Sequence, residues 1–187
     1  MGIIRNTGQS IAHKYHAGEI ELAVATHFDS RQNLIVPNVA NGMGIHECDV
    51  LILTQTGYAT EVEIKISAGD LKADAKKSHA HDSDMIKILY FAIPESLRDY
   101  ASHIPARAGI IIVKRVKNRW YDGWTGKIME DGERDRCEII RAPHVNKAAK
   151  KWTPKDRYML MRLSTMRIWS LKRKIRDLQA KAKEGKP

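Results

Sequence analysis

The hydrophobic pattern of the chain changes from helical to alternating in its first third. Ile20, Ala23 and Val24 recur at the spacing of one helix face and predict a helix over residues 18–28. Three short apolar-rich runs then predict strands, at residues 34–39, 47–53 and 60–67. The second and third runs are joined by TQTGY, a turn with a glycine, which favours an antiparallel hairpin.

The rest of the chain alternates between apolar runs and helical patterns. Predicted helices cover residues 67–79, 95–103 and a long segment opened by Thr153 and Pro154, a capping residue followed by a first-turn proline. Predicted strands cover residues 87–94 and 108–114, with weaker signals at 116–124 and 136–142. Helices interspersed among strands predict an α/β fold, with a mixed β-sheet flanked by helices on both faces.

The run EVEIKIS alternates strictly and predicts a half-buried strand. One face carries Val62, Ile64 and Ile66, and the other carries Glu61, Glu63 and Lys65. The neighbouring strand adds Asp49. Mg²⁺ is commonly held by one or two carboxylates with a main-chain carbonyl, and a nearby ammonium group can orient the attacking water. This pattern therefore predicts phosphodiester hydrolysis, with Asp49, Glu63 and the Ile64 carbonyl as metal ligands and Lys65 as the catalytic lysine.

The Glu-x-Lys spacing alone is weak evidence, because about one occurrence is expected by chance in a chain of this length. The spacing recurs at Glu184 and Lys186. The alternative interpretation of Glu61, Glu63 and Lys65 is an ordinary solvent-facing strand surface. The buried character of Leu51 and Leu53 beside Asp49, and the helix that begins just after Ser67, favour a site.

The charge distribution indicates a polyanionic partner. The 187 residues carry a net charge of +10, and residues 141–187 hold 15 Lys and Arg against 3 Asp and Glu. Nucleic acid is the favoured partner, and a solubilising helix is the alternative. We expect a cytoplasmic protein, since the sequence shows no signal peptide or membrane span and only two distant cysteines, Cys48 and Cys137.

From Asp49 through EVEIKIS, GDLKADAKK and ILYFAIP, the chain resembles the PD-(D/E)XK nuclease superfamily, in particular its MmcB-like DNA-repair branch. Cys48 stands where the motif's proline is often found. The resemblance covers about residues 18–115. It implies a restriction-endonuclease-like core, metal-dependent endonuclease activity with Mg²⁺ or Mn²⁺, and a further catalytic acid, Glu21, on the first helix. We assign residues 1–145 to this core and residues 146–187 to a basic helical extension.

Several basic residues are candidates for contacts with DNA. They are Lys76, Lys77, Lys147, Lys150, Lys151, Lys172, Arg173 and Arg176. Trp120, Tyr121 and Trp124 either stack on unpaired bases or form a packing cluster. The HAHDSD stretch at residues 79–84 favours a polar loop over a metal site, and Asp70 with Asp74 favours a helix surface over a functional pair.

The last helix also predicts an assembly element. Its apolar positions follow alternating three- and four-residue steps: Met161, Ser164, Ile168, Leu171, Ile175, Leu178 and Ala182. We expect a homodimer through this seam; the alternative is that Met161 to Leu171 pack on the core. For function, the alternatives to a nuclease are a non-cleaving nucleic-acid-binding module on the same fold and an interaction protein with an acidic partner.

Overall fold

The computed structural model describes Ile11 and residues 13–39, 44–74 and 83–184. Its helices are α1 (Ala17–His27), α2 (Ala68–Asp74) and α3 (Pro154–Glu184), with a 3-10 helix at Glu95–His103. Its strands are β1 (Leu34–Val39), β2 (Cys48–Leu53), β3 (Ala59–Ile64), β4 (Ile86–Pro94), β5 (Gly109–Asp122) and β6 (Lys127–Arg141). Within these ranges no helix has both the length and the apolar character that a bilayer span requires.

The six strands form one mixed sheet in chain order, from β1 to β6. Strand β2 is antiparallel to both β1 and β3, which confirms the predicted hairpin of β2 and β3. Strands β3, β4 and β5 run parallel, and β6 returns antiparallel to β5. Helix α2 lies in the crossover between β3 and β4, as parallel neighbours require. The predicted α/β class, with a mixed sheet, flanking helices and a long C-terminal helix, is confirmed.

Alternation along the strands divides the core between the two faces of the sheet. Ile20, Ala23 and Val24 of α1 pack on one face, together with the buried residues Val50 and Val62. The opposite face carries the odd-numbered apolar residues of β2 and β4. It is covered by α2 and the 3-10 helix at one side, and by Trp152 and α3 at the other. Helices therefore cover both faces.

The prediction of a half-buried β3 is wrong. Thr60, Glu61, Val62 and Glu63 are all buried, so the charged face of the strand lies beneath neighbouring structure instead of in solvent. The reason is topological, because β3 is a central strand and α2, α3 and the 3-10 helix cover the face that carries its acids. The alternative interpretation as a solvent-facing strand surface is excluded by this burial.

Strands β5 and β6 are longer than the sequence pattern predicted. They run as a continuous ladder up to the pair Asp122 and Lys127, with register shifts at Ile110–Ile111 and Lys117–Arg119. Beyond Val113, β5 has passed the end of β4. The outer part of β5 and β6 therefore projects from the sheet as a two-stranded arm of about 25 Å.

A polar cluster fixes the base of this arm to the first helix. The Arg115 guanidinium donates to both carboxylate oxygens of Asp135, at 3.0 and 3.1 Å, and to Glu19 at 3.2 Å. His13 lies within hydrogen-bonding distance of both Glu19 and Arg115, at 2.9 and 3.1 Å. Tyr15 Oη donates to Asp135 at 2.8 Å. We call these five residues the Arg115 cluster.

Helix α3 begins as the sequence predicted. The Asp156 N–H donates to Thr153 Oγ1 at 3.2 Å, and the Thr153 N–H donates to the Asp156 carboxylate at 3.0 Å. This reciprocal pair is a capping box, which satisfies amide groups that the first turn leaves free. Pro154 occupies the first helical position, where a missing N–H has no cost.

Only the first half of α3 packs on the sheet. Leu160 and Leu163 join the cluster of Leu34 and Val36, and the Arg167 guanidinium donates to the Asn38 carbonyl oxygen. In the alternative prediction, Met161 to Leu171 pack on the core. The helix does contact the core over this range, but the seam residues Met161, Ile168 and Leu171 are exposed, so the packing residues were predicted wrongly. From residue 171 to residue 183 every side chain is exposed, over a helix length of about 20 Å.

Candidate functional site

The acidic residues predicted for the site come together on the face of the sheet that α2 and α3 cover. Leu51 of β2 is the register partner of Glu61 in β3, so both side chains point to the same face. Asp49 lies two residues before Leu51, and Glu63 lies two residues after Glu61. The same alternation therefore places Asp49 and Glu63 on this face. The site therefore lies where β2 begins and β3 ends.

Asp49 replaces a backbone acceptor between the two strands. Its Oδ2 accepts a hydrogen bond of 2.7 Å from the Ile64 N–H. The next amide, Lys65 N–H, donates in the opposite direction to the Ala92 carbonyl oxygen of β4, at 3.1 Å. Because a trans peptide directs its C=O away from its N–H, the Ile64 carbonyl points toward β2, the side on which Asp49 lies. Two of the predicted metal ligands, the Asp49 carboxylate and the Ile64 carbonyl, therefore lie on the same side of β3.

Lys65 lies beside Glu63, as the two-residue spacing predicted. Its Nζ donates to Glu63 Oε2 at 3.1 Å, and the two side chains are only 12% and 8% exposed. The ammonium group also lies 5.9 Å from the centre of the Phe91 ring. Because Phe91 is the register partner of Glu63 in β4, the aromatic ring forms one wall of the site.

Glu61 is a member of the site that the sequence pattern did not single out. It is 4% exposed on the same strand face as Glu63. Burial raises the pKa of the neighbouring Cys48 thiol, and the negative charges of Glu61, Glu63 and Asp49 raise it further. Three carboxylates thus lie within electrostatic reach of one buried sulfur. The alternation of EVEIKIS already carried this signal, since Glu61 and Glu63 share a face. We call Asp49, Glu61, Glu63 and Lys65 the carboxylate cluster.

Glu21, the candidate acid of the first helix, lies one strand away from Asp49. Its carboxylate accepts a hydrogen bond of 3.1 Å from Asn38 Nδ2. Asn38 lies between the register pairs Pro37–Val50 and Val39–Cys48, and is therefore the cross-strand neighbour of Asp49. Its backbone has a positive φ of 51°, a conformation that asparagine tolerates better than most residues. Glu21 thus reaches the strand position beside Asp49 from α1, the helix on the opposite face of the sheet.

The donor set fits a hard divalent cation. Among the described residues no group of three or more His, Cys, Asp or Glu side chains is placed to enclose a metal ion. Mg²⁺ does not require such a cage, because it usually keeps several waters and uses one or two carboxylates. Asp49, Glu63 and the Ile64 carbonyl are all oxygen donors, as Mg²⁺ prefers.

The basic candidates divide between two ends of the sheet. Lys150 pairs with Asp84, and Lys151 lies 5.4 Å from the ring of Tyr58, so both flank the start of β3 and β4. Lys147 follows Asn146, whose N–H donates to the Lys87 carbonyl oxygen at the same end. These three lysines are therefore a strand length from Glu63, about 15 Å or more.

The other basic candidates are on α3. The helix runs from Gly57, which the Arg157 side chain contacts, to Asn38 at the site end of β1. Lys172, Arg173 and Arg176 follow on the projecting half and are exposed. They therefore extend from the same end of the sheet as the carboxylate cluster.

Some candidates lie outside the described residues. They are Lys76, Lys77, the side chain of Asp74 and most of the HAHDSD stretch. Asp70 is described and accepts a hydrogen bond of 2.8 Å from Ser67 Oγ, which in turn accepts from the Asp70 N–H at 3.1 Å. This pair caps α2, in agreement with the predicted helix start.

The aromatic residues of the β5–β6 arm do not form a packing cluster. Trp120, Tyr121 and Trp124 are 44%, 55% and 96% exposed. Lys117 and Arg119 each bind Glu130 across the arm at 2.6 Å. The packing alternative is therefore excluded for these three side chains.

Comparison with known proteins gives one structural similarity. The solved structure of SPO1766, a protein of unknown function from Silicibacter pomeroyi, superposes with a TM-score of 0.53 at 21% identity, over 91% of this chain and 94% of that one. At this identity the likeness shows a shared fold alone. No protein-family model matches the chain. No curated protein matches it.

Proposed function

We propose that the protein is a metal-dependent deoxyribonuclease that hydrolyses a phosphodiester at the carboxylate cluster. The observation that carries the proposal is the burial of Glu63 beside Lys65, at 3.1 Å, next to a strand pair that Asp49 bridges. Carboxylates this well buried are rare unless they are paired or coordinate a metal. An oxygen-rich donor set with an adjacent ammonium group is suited to phosphoryl chemistry.

Each residue has a separate task in this proposal. Asp49, Glu63 and the Ile64 carbonyl would hold Mg²⁺, which when bound neutralises charge on the scissile phosphate and lowers the pKa of a coordinated water. The Lys65 ammonium group, beside Glu63, orients the attacking water or stabilises the developing negative charge. Glu61 adds negative charge on the same strand face and strengthens the attraction for a cation.

The basic half of α3 supports DNA as the substrate. Lys172, Arg173 and Arg176 are exposed and project from the site end of the sheet, where they can follow a phosphate backbone. Pairing of two copies through the seam of Ile168, Leu171, Ile175 and Leu178 stays a prediction. The helix leaves these four residues exposed, but Arg167, Lys172 and Lys174 flank the seam and would repel the same residues of a second copy.

The test is cleavage of a DNA panel by the full chain with Mg²⁺ or Mn²⁺. The panel contains duplex, single-stranded, flapped and four-way DNA. We expect Asp49→Asn and Glu63→Gln to lower the cleavage rate at least about a hundredfold, since each removes a charge that acts in the transition state. Lys65→Met should lose turnover to a similar extent but keep Mg²⁺ binding, because the lysine is not a ligand.

Asp29→Asn is the matched control for Asp49→Asn. Asp29 is half-buried, pairs with Arg31 and has a φ of 53°, which asparagine also adopts. The control should cleave like the wild type, and circular dichroism should show that all variants are folded. Equal activity in all variants would assign the cleavage to a contaminant. DNA binding without cleavage by the wild type would favour the non-cleaving binding module.

A further inference from the structure

The end of the β5–β6 arm exposes large apolar side chains on both of its faces. The register pairs Trp120 with Met129 and Tyr121 with Ile128, and neighbouring pairs point to opposite faces of the ribbon. Trp124 lies in the turn between the strands and is almost fully exposed. We call these five residues the hairpin tip. Exposed tryptophans at the end of a narrow ribbon are costly to solvate, which points to a binding role.

The hairpin tip projects from the same end of the sheet as the site. Strand β5 runs parallel to β4 and therefore parallel to β3, whose end carries Glu63 and Lys65. Ile111 is level with Ala92, and Ala92 is level with Ile64, so residues beyond Val113 extend past the site. The projecting half of α3 leaves the sheet at the same end, near β1. The site thus lies between a basic helix and an aromatic ribbon.

The base of the arm is attached to the core by the Arg115 cluster. Arg115 and Asp135 are cross-strand partners at its base, and Arg115 also binds Glu19 at the start of α1. The backbone of Ile11 bridges to Arg115 on the side where β4 has ended. The Arg115 cluster therefore fixes the direction in which the ribbon leaves the core.

The chemistry of the arm favours bases over phosphates. Residues 117–134 hold four Lys or Arg and four Asp or Glu, and Lys117 and Arg119 share the Glu130 carboxylate, so this part of the arm has no excess of positive charge. The large exposed side chains at its end are aromatic or apolar. Indole and phenol rings stack on any unpaired base, because every base presents a π-face.

We propose that the hairpin tip stacks on unpaired bases, and that the preferred substrate is DNA in which a duplex adjoins single-stranded bases. This inference rests on the proposed function for the choice of DNA. The helix α3 would follow the phosphates of the duplex, and the tip would occupy the point where the strands separate. Trp120 and Trp124 set the substrate preference without taking part in the chemistry.

Binding measurements without cleavage test this proposal. The full chain is titrated in EDTA against a fluorescent duplex, the same duplex with a single-stranded flap, and the single strand. The wild type should bind the flapped duplex and the single strand more tightly than the plain duplex. The double variant Trp120→Ala with Trp124→Ala should weaken binding to both DNAs with unpaired bases about tenfold or more, and binding to the plain duplex less than twofold.

Two further variants separate stacking from other causes. Trp120→Phe with Trp124→Phe should restore most of the preference, because phenylalanine still stacks. The triple variant Lys172→Gln, Arg173→Gln, Arg176→Gln should weaken binding to all three DNAs. Removal of one phosphate-binding cation lowers the log–log salt slope on duplex by about 0.9, whereas the tryptophan variants should leave that slope unchanged.

Several results would overturn the proposal. They are an equal weakening on plain and flapped duplex, no weakening on either, an absence of DNA binding, or a wild-type dimer that the double alanine variant converts to monomer. The last result would assign the tip to a second copy of the chain. Failure of the nuclease proposal gives a different result, in which the tip still discriminates between the DNAs but no variant cleaves them.

Discussion

Two polar clusters lie on opposite faces of the same sheet and differ in how their charges are matched. The Arg115 cluster joins two carboxylates to a guanidinium that forms hydrogen bonds with both of them, and a tyrosine and a histidine complete it. The carboxylate cluster places three acids with one lysine on a buried face, and one of the acids bridges two strands. Both are partly or fully withdrawn from water.

The difference indicates what each cluster does. A guanidinium with bidentate contacts holds carboxylates in a fixed geometry. Such a group stabilises the fold. The carboxylate cluster instead collects oxygen donors at the end of a strand pair, and oxygen donors are the ligands that Mg²⁺ prefers. We therefore expect the free energy of unfolding to fall when a residue of the Arg115 cluster is removed. We expect it to rise when a metal ion binds the carboxylate cluster.

The largest expected effect is on stability and concerns Arg115. Arg115→Met removes the cation and leaves Glu19 and Asp135 without their shared partner. Because Arg115 and Asp135 are each 21% exposed, we expect a destabilisation of about 2 kcal/mol, below the range for fully buried pairs. Urea unfolding measures this change. The stabilisation of this variant by Mg²⁺ should equal that of the wild type, and a reduced effect of Mg²⁺ would show that the two clusters are coupled.

A smaller effect is expected when Mg²⁺ is added. Binding to the folded state alone should stabilise the wild type by about 1.4 kcal/mol at tenfold excess over Kd, or a few degrees in Tm. Glu63→Gln should lose this shift and Lys65→Met should keep it. Asp135→Asn is the control, since it also replaces a carboxylate but lies in the Arg115 cluster. A shift that survives in Glu63→Gln would place the metal elsewhere.

The smallest effect is expected from acid titration of Glu19. Hydrogen bonds from the His16 N–H, from His13 and from Arg115 lower the pKa of Glu19 from its ordinary value of 4.5 to about 2. The unfolded chain therefore takes up this proton first, and the stability contributed above pH 4.5 is lost as pH falls toward 2. The difference in unfolding free energy between wild type and Glu19→Gln should narrow as the pH falls from about 5.5 to about 2. An unchanged difference would mean that Glu19 titrates normally.

Most of the secondary structure was predictable because it follows from local periodicity. The first strand has the predicted bounds, Leu34–Val39, and the alternation of EVEIKIS placed Glu61, Glu63 and Lys65 on one face. The position of Lys65 beside Glu63 followed from the two-residue period of a strand. Their contact at 3.1 Å agrees with that expectation.

The sequence pattern predicted strands β5 and β6 shorter than they are, for a physical reason. Its outer strands carry charged residues where a half-buried strand would carry apolar ones, so the pattern of period two is weak there. Cross-strand ion pairs such as Lys117 with Glu130 take the place of apolar burial, and they appear only when two distant segments are aligned. The stripe of α3 that packs on the sheet, Leu160 and Leu163, lies one position before Met161 and Ser164 of the apolar seam, and pairing of two copies through that seam stays a prediction.

The order of elements, the face on which each strand residue lies and the pairing of Glu63 with Lys65 all follow from local sequence. These features depend on the geometry of a few consecutive residues. The burial of β3 on both faces and the hydrogen bond from the Ile64 N–H to Asp49 arise only when the chain is folded. Folding also joins His13, Glu19, Arg115 and Asp135 into one cluster. Burial and such contacts depend on which elements cover a strand, and no local period encodes that choice.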